Sequence, residues 1–151
     1  MKLFLSSEVL DIYEYLQEFL HYQEKLGSKI TFTPYYVMKE SDFFDANNPK
    51  EFYNCVSGGR FCASRVRDLN ITEPINIINE NIRQKCVFRE YNIDTYSKYM
   101  VQFYRQCLNK TNGVMFNVTC SKNVLESLNI DSDKISNCLQ GSFEGINLFI
   151  F

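Results

Sequence analysis

The sequence has no tryptophan, three prolines and a single histidine in 151 residues. Metal sites and histidine-activated nucleophiles need several ligand-grade or base-grade side chains close together, and His21 has no such partner near it in sequence. Its expected role is structural, on or near the surface of the first helix. Asp42, Asp45 and Glu51 lack the alternating ligands and the glycine of a calcium loop. Charge of one sign is missing too: 16 Lys and Arg stand against 18 Asp and Glu, for a net charge of −2, and the basic residues are scattered singly. That argues against the basic stripe that holds nucleic-acid phosphates. No apolar run approaches the roughly 18 residues of a membrane span. Met1 to Leu5 is too short for the core of a signal peptide, so a secretory signal would lie upstream or have been removed. No metal or cofactor is expected, and contact with a membrane would come only through segments outside this sequence.

What is present is cysteine. The stretch Asn54 to Ala63, NCVSGGRFCA, puts six residues between Cys55 and Cys62. Zinc sites and redox dithiols usually separate paired thiolates by about two to four residues, so this spacing suits neither. A disulfide suits it better, because Gly58 and Gly59 let the chain turn back through positive φ. The alternative is a pair of unlinked buried cysteines. With Cys86, Cys107, Cys120 and Cys138 the count is six, an even number that favours an oxidising compartment. The sequons at Asn70, Asn109 and Asn117 point the same way as N-glycan acceptors, with small weight in a chain so rich in Asn, Ser and Thr.

At 45% hydrophobic and 15% aromatic residues, one ordinary core is expected, hence a single domain over residues 1–151. After Lys2 to Leu5, a short apolar run, the residues Val9, Ile12, Leu16, Phe19, Leu20 and Leu26 recur at helical steps, with Ser6 or Ser7 as cap and Gly27 as stop. Lys29 to Met38 alternates as a strand, and a strand, helix, strand order implies a parallel pair joined by a right-handed crossover. Pro34 then marks an edge or a bulge. Lys39 to Asn54 reads as an exposed, irregular loop leading into the Cys55/Cys62 clip.

The second half reads as helical. Thr72 caps a helix with Ile75, Ile78, Ile82 and Cys86 on one face, and Asp94 or Thr95 starts another with Tyr96, Tyr99, Met100, Phe103 and Cys107. Thr119 to Leu128 and Asp131 to Leu139 are short helices, Gly141 ends the block, and Gly145 to Phe151 is an apolar strand. Antiparallel packing of the first two helices would leave Cys86 and Cys107 about 18 Å apart, which disfavours that bond. Cys107–Cys120 with Cys86–Cys138 is the first choice, Cys120–Cys138 is the main competitor, and the sequence does not decide between them.

Four strings together resemble the central lumenal domain of the vacuolar sorting receptors, which occur in plants and protists, in a protist-like version: FLHYQEKLGSKITFTPYYV (19–37), CVSGGRFCA (55–63), NENIRQKCVF (79–88) and CSKNVLESLNIDSDKISNCLQGSF (120–143). The resemblance implies an α/β, thioredoxin-like fold with a helical insertion over about residues 70–140. It also implies a place in a type I membrane receptor that carries soluble cargo through the endomembrane system. Thioredoxin-like proteins have a cis-proline before a late strand and end on a hairpin and helix, whereas the prolines here are Pro34, Pro49 and Pro74. The sheet is therefore expected to look incomplete at its C-terminal end, and the apolar tail LFIF to pack on something.

The fold also hosts thiol-disulfide oxidoreductases, whose dithiol sits after the first strand at the start of the first helix. Ser6, Ser7, Glu8 and Val9 occupy that place, so no enzyme is expected. The expected function is a non-catalytic binding domain in the endomembrane lumen or outside the cell, with protein cargo as partner and the Lys39 to Asn54 loop plus the clip as its surface. Tyr35-Tyr36 and the Tyr96, Tyr99, Phe103, Tyr104 group are further candidates for peptide or glycan, against the commoner use of such stripes in a core. The alternative is a structural subunit of a larger secreted or membrane-attached assembly.

Overall fold

Lys2–Leu5 forms strand β1, whose alternation turns Leu5 inward and leaves Phe4 68% exposed. In this computed structural model the described residues are 2–7, 9, 11–26, 32–42, 45–48, 55–63, 75–108 and 116–144. β1 leads into helix α1 (Asp11–Leu26) and on to β2 (Thr33–Tyr36), which lies parallel to β1 with Lys2 opposite Thr33 and Leu5 opposite Tyr36. β2 has β1 as its partner among the described residues, an edge position in which Pro34 breaks no ladder. α1 begins later than a cap at Ser6 or Ser7 would place it. Both serines are buried, and the Ser7 side chain is spent on a tertiary contact.

β3 (Lys39–Glu40), β4 (Cys55–Val56) and β5 (Phe61–Cys62) form an antiparallel sheet in the order β3-β5-β4. A strand therefore stands where an irregular loop was expected. The clip makes it: the Ser41 N–H donates to the Arg60 carbonyl at 2.7 Å, and Arg60 Nε donates to Glu40 Oε1 at 3.1 Å.

The helical block consists of α2 (Ile75–Glu90), α3 (Ile93–Phe103), α4 (Val118–Ser127) and α5 (Ser132–Glu144), with a π-helical turn, Tyr104–Leu108, closing α3. Asn92, not Asp94 or Thr95, caps α3, its Oδ1 accepting the Thr95 N–H at 2.8 Å. Asp131 precedes α5 and its Oδ1 accepts the N–H groups of Asp133 and Lys134 at 2.9 and 3.0 Å. α5 then runs through Gly141, which was expected to stop it. A mid-helix glycine costs about 1 kcal/mol. The buried contacts of Ile135 and Cys138, and the Ser142 hydroxyl donating back to the Cys138 carbonyl at 2.8 Å, hold the last turn in place. The expected Thr72 cap, the Gly27 stop and the Gly145 to Phe151 strand lie outside the described residues.

α1 packs on α3, and α2 packs on α3 and α5. Between them Tyr13, Leu16, Ile77, Ile78, Tyr96, Tyr99, Met100 and Phe103 are each under 2% exposed. Tyr13 stacks on Tyr104 with ring centroids 5.1 Å apart, and Phe88 meets Tyr96 edge-on at 5.3 Å. Such pairs add about 0.5–1.5 kcal/mol each beyond area burial. The Tyr96, Tyr99 and Phe103 stripe is therefore core, not a ligand surface. Among the described residues no helix is long and apolar enough to cross a membrane.

Candidate binding site

The place after β1 where this architecture would keep a reactive dithiol is closed by polar bonds. Ser7 is fully buried. Its N–H donates to Asn81 Oδ1 at 2.7 Å, its hydroxyl donates to the Ile77 carbonyl at 3.2 Å, and its carbonyl accepts from the Tyr13 hydroxyl at 2.8 Å. The Val9 N–H donates to the Ser6 carbonyl at 3.0 Å and tightens the turn. Each of these buried bonds contributes about 1 kcal/mol net, so the segment is stapled to α2. Among its described residues, the Ser6 and Ser7 side chains are buried away from solvent.

Beside this staple the carboxyl end of β1 opens into a shallow apolar groove of about 380 Å³. Phe4, Val9, Ile12, Tyr15 and Val37 form its walls, with Asp11 at its polar end. Phe4, Tyr15 and Val37 are 68%, 43% and 49% exposed and are gathered on this one groove. Their positions are held from behind: Phe4 stacks on Tyr35 at 5.5 Å, Tyr15 on Phe19 at 6.2 Å, and the Val37 N–H donates to the Leu5 carbonyl at 2.7 Å. A crevice outside the carboxyl ends of strands is where open α/β sheets generally take their ligands.

The clip forms a second exposed feature. Cys55 and Cys62 face each other across β4 and β5 with Cα atoms 4.0 Å apart and a disulfide between them. Ser57, Gly58 and Gly59 have φ of 53°, 65° and 92°, so the turn occupies the left-handed region that glycine enters freely. Arg60 lies over the Phe61 ring at 5.1 Å while it bonds Glu40. In the loop that precedes it, the Asn47 N–H bonds Asp45 Oδ1 at 2.9 Å, and Lys39 meets Asp42 at 3.4 Å. Among the described residues, no three His, Cys, Asp or Glu side chains gather to hold a metal ion.

The remaining cysteines pair as Cys86–Cys138 and Cys107–Cys120. Next to them lies a polar centre that periodicity did not reveal. Glu80, 1% exposed, takes hydrogen bonds on Oε1 from Tyr99 at 2.9 Å and Gln84 at 3.1 Å, and on Oε2 from Ser121 at 2.9 Å and from Arg83. Burial works against the Arg83 charge, but the Glu80 carboxylate and the Tyr99 hydroxyl outweigh it and hold its pKa above the ordinary value. Burial, helped by Glu80, pushes the Tyr99 hydroxyl well up. At the seam between sheet and helices the Tyr36 and Tyr96 hydroxyls meet at 2.7 Å, and burial raises both. Lys85 donates to the Pro34 carbonyl at 3.0 Å between the rings of Tyr35 and Phe88, and burial lowers its pKa. These groups form a scaffold, since the Glu80 carboxylate and the Tyr36, Tyr96 and Tyr99 hydroxyls are bonded to neighbouring side chains inside the fold.

His21 is exposed on α1, edge-on to Tyr22 at 5.2 Å. Of the three sequon asparagines, Asn117 caps α4, and Asn70 and Asn109 lie outside the described residues. Sequence reasoning missed the groove, although Phe4 on the outward register of β1 and Val37 just past β2 were readable signals.

The family model of the vacuolar sorting receptor thioredoxin-like domain matches residues 6–147. Vacuolar-sorting receptor 7 of Arabidopsis thaliana is 30% identical to this chain over 120 residues, which are 75% of this chain and 19% of the receptor. Vacuolar-sorting receptor 1 of Pisum sativum is 28% identical over 134 residues, 83% of this chain and 21% of the receptor. The chain thus spans about a fifth of the length of these relatives.

Proposed function

The chain belongs to the family of vacuolar sorting receptor thioredoxin-like domains, and from that premise we propose that it is a non-catalytic, lumenal or extracellular module that binds protein cargo. The observation that carries this reading is the groove beside β1. Three exposed apolar side chains surround the spot where a redox relative would place its thiols, and the backbone there is locked. The binding surface of the fold is retained without its reactive group. The relatives are sorting receptors by name, which supports a protein ligand and a lumenal address for this chain. We take residues 1–151 as one unit, with the helices over about residues 70–140 as an insertion into the thioredoxin-like part.

The test is capture of a panel of lumenal proteins by the full chain, compared with Phe4→Asp and Val37→Asp variants. Each change places a charge on an apolar wall, and central apolar anchors typically carry more than 1 kcal/mol. At least about a tenfold weaker Kd is expected, the equivalent of about 1.4 kcal/mol. Unchanged capture by both variants overturns the groove as the contact surface. A Cys55→Ser, Cys62→Ser pair tests the clip in the same assay. The second reading, a fixed subunit of a larger assembly, is favoured by the same exposed rings, and native mass separates the two: a free monomer in its own compartment excludes it. Reduction of insulin by the full chain would revive an oxidoreductase.

A further inference from the structure

We infer that Asn117 is an N-glycosylation site that is used before the chain folds, and that the folded helix α4 then withdraws it from the transferase. The inference rests on the lumenal reading above. Asn117-Val118-Thr119 is a complete acceptor tripeptide, and all three residues are exposed. Asn117 caps α4 through one atom of its carboxamide: Oδ1 accepts the N–H groups of Thr119 and Cys120 at 2.8 and 3.3 Å. Its Nδ2, the atom to which a sugar is joined, makes no hydrogen bond among the described residues. Cap and glycan therefore use different atoms of the same side chain, and a modified Asn117 still closes the helix.

The same geometry sets the order of events. In the transfer, Nδ2 bonds to the anomeric carbon of a lipid-pyrophosphate-linked oligosaccharide. The bond from that carbon to the pyrophosphate oxygen breaks, the lipid pyrophosphate leaves with the electron pair, and the amide gives up one proton to a base of the transferase. The tripeptide must lie along the transferase cleft for this to happen. In the fold, Val118 and Thr119 belong to the first turn of α4, the Asn117 carbonyl accepts the Ser121 N–H at 3.1 Å, and Cys120, directly after the acceptor threonine, is tied to Cys107. The cap, the helix and the disulfide would all have to open together. The next residue, Val118, is 53% exposed and lines a groove of about 280 Å³ with Arg83, Leu125 and Leu139.

The experiment translates the full 151-residue chain behind a cleavable signal peptide into transferase-competent microsomes, with signal cleavage as proof of entry. This separates the site from the chain's native address: an unmodified Asn117 in cleaved chains defeats the inference, whereas a native address outside the lumen defeats only the reading it rests on. Peptide mapping after glycosidase treatment is expected to find Asn117 converted to aspartate. Thr119→Ala, which keeps the capping asparagine, and Asn117→Ser, which keeps a capping oxygen, should each lose one glycosidase-sensitive mobility step and still form all three disulfides. Folded, oxidised, unglycosylated chain offered to the same transferase is expected to stay unmodified until it is reduced and unfolded. Modification of the folded chain as readily as of the nascent one overturns the order proposed.

Discussion

The strand region and the helical block are braced on different scales. The Cys55–Cys62 bond joins residues 7 apart and holds a turn, while Cys86–Cys138 and Cys107–Cys120 join residues 52 and 13 apart and tie helices together. The polar groups differ in the same sense. Around β1 and the clip, bonds fix backbone: Ser7 to α2, Ser41 to Arg60. In the helices a single carboxylate, Glu80, gathers side chains from α2, α3 and α4. The strand end is held with an apolar surface left exposed, whereas the block is tied together through its interior. Exposed apolar surface and buried polar bracing are thus divided between two parts of one small chain.

The comparison predicts where the molecule is most vulnerable. Glu80→Ala strands the Arg83 charge and the Tyr99 and Ser121 hydroxyls indoors, and removing one partner of a buried ion pair costs about 3–5 kcal/mol. Urea unfolding checks it, and a loss below about 0.5 kcal/mol, the size of a typical surface effect, would mean that the centre is not shared between helices.

Cystine removal is the next largest effect. By chain entropy alone the 52-residue closure is worth about 4 kcal/mol, the 13-residue one about 3 and the clip about 2. Paired Cys→Ala variants compared by melting temperature should follow that order. Equal losses would erase the distinction between the two regions.

Ser7→Ala should cost about 1 kcal/mol by leaving the Ile77 carbonyl short of a donor. Ser7→Cys sharpens the point. Burial raises a thiol's pKa, so that cysteine should alkylate far more slowly than one in unfolded chain. Fast labelling would show that the segment opens as a redox site does.

The last effect appears only in alkali. Tyr36, Tyr96 and Tyr99 have folded pKa values above the ordinary value near 10, so the unfolded chain loses those protons first. Their contribution is complete below about pH 10 and falls away as pH rises toward the folded values. An alkaline absorbance titration should show these phenols ionising together with unfolding.

The sequence carried the β1-α1-β2 unit plainly, because apolar spacing changes from period two to helical steps and back within its first 38 residues. The helices with Tyr96, Tyr99 and Phe103 or Ile78 and Ile82 on one face were legible for the same reason. Ser7 was not, since its role depends on Asn81, 74 positions away. Glu80 escaped because periodicity says which face is apolar and cannot say that a carboxylate on α2 will find Tyr99 and Ser121. The short strand at Lys39–Glu40 has no pattern of its own and exists only as a partner of Phe61 and Cys62. Half of the candidate site was readable, in Phe4 on the outward register of β1 and Val37 just past β2. The other half is created when the turn after β1 docks on α2.

The wide turn at Tyr104–Leu108 holds one amino acid more than ordinary helical winding would. Winding all of these residues as ordinary helix instead would swing everything beyond them by about 100° about the axis. Cys107 would then aim away from Cys120, so a surplus of one residue keeps those two sulfurs in line.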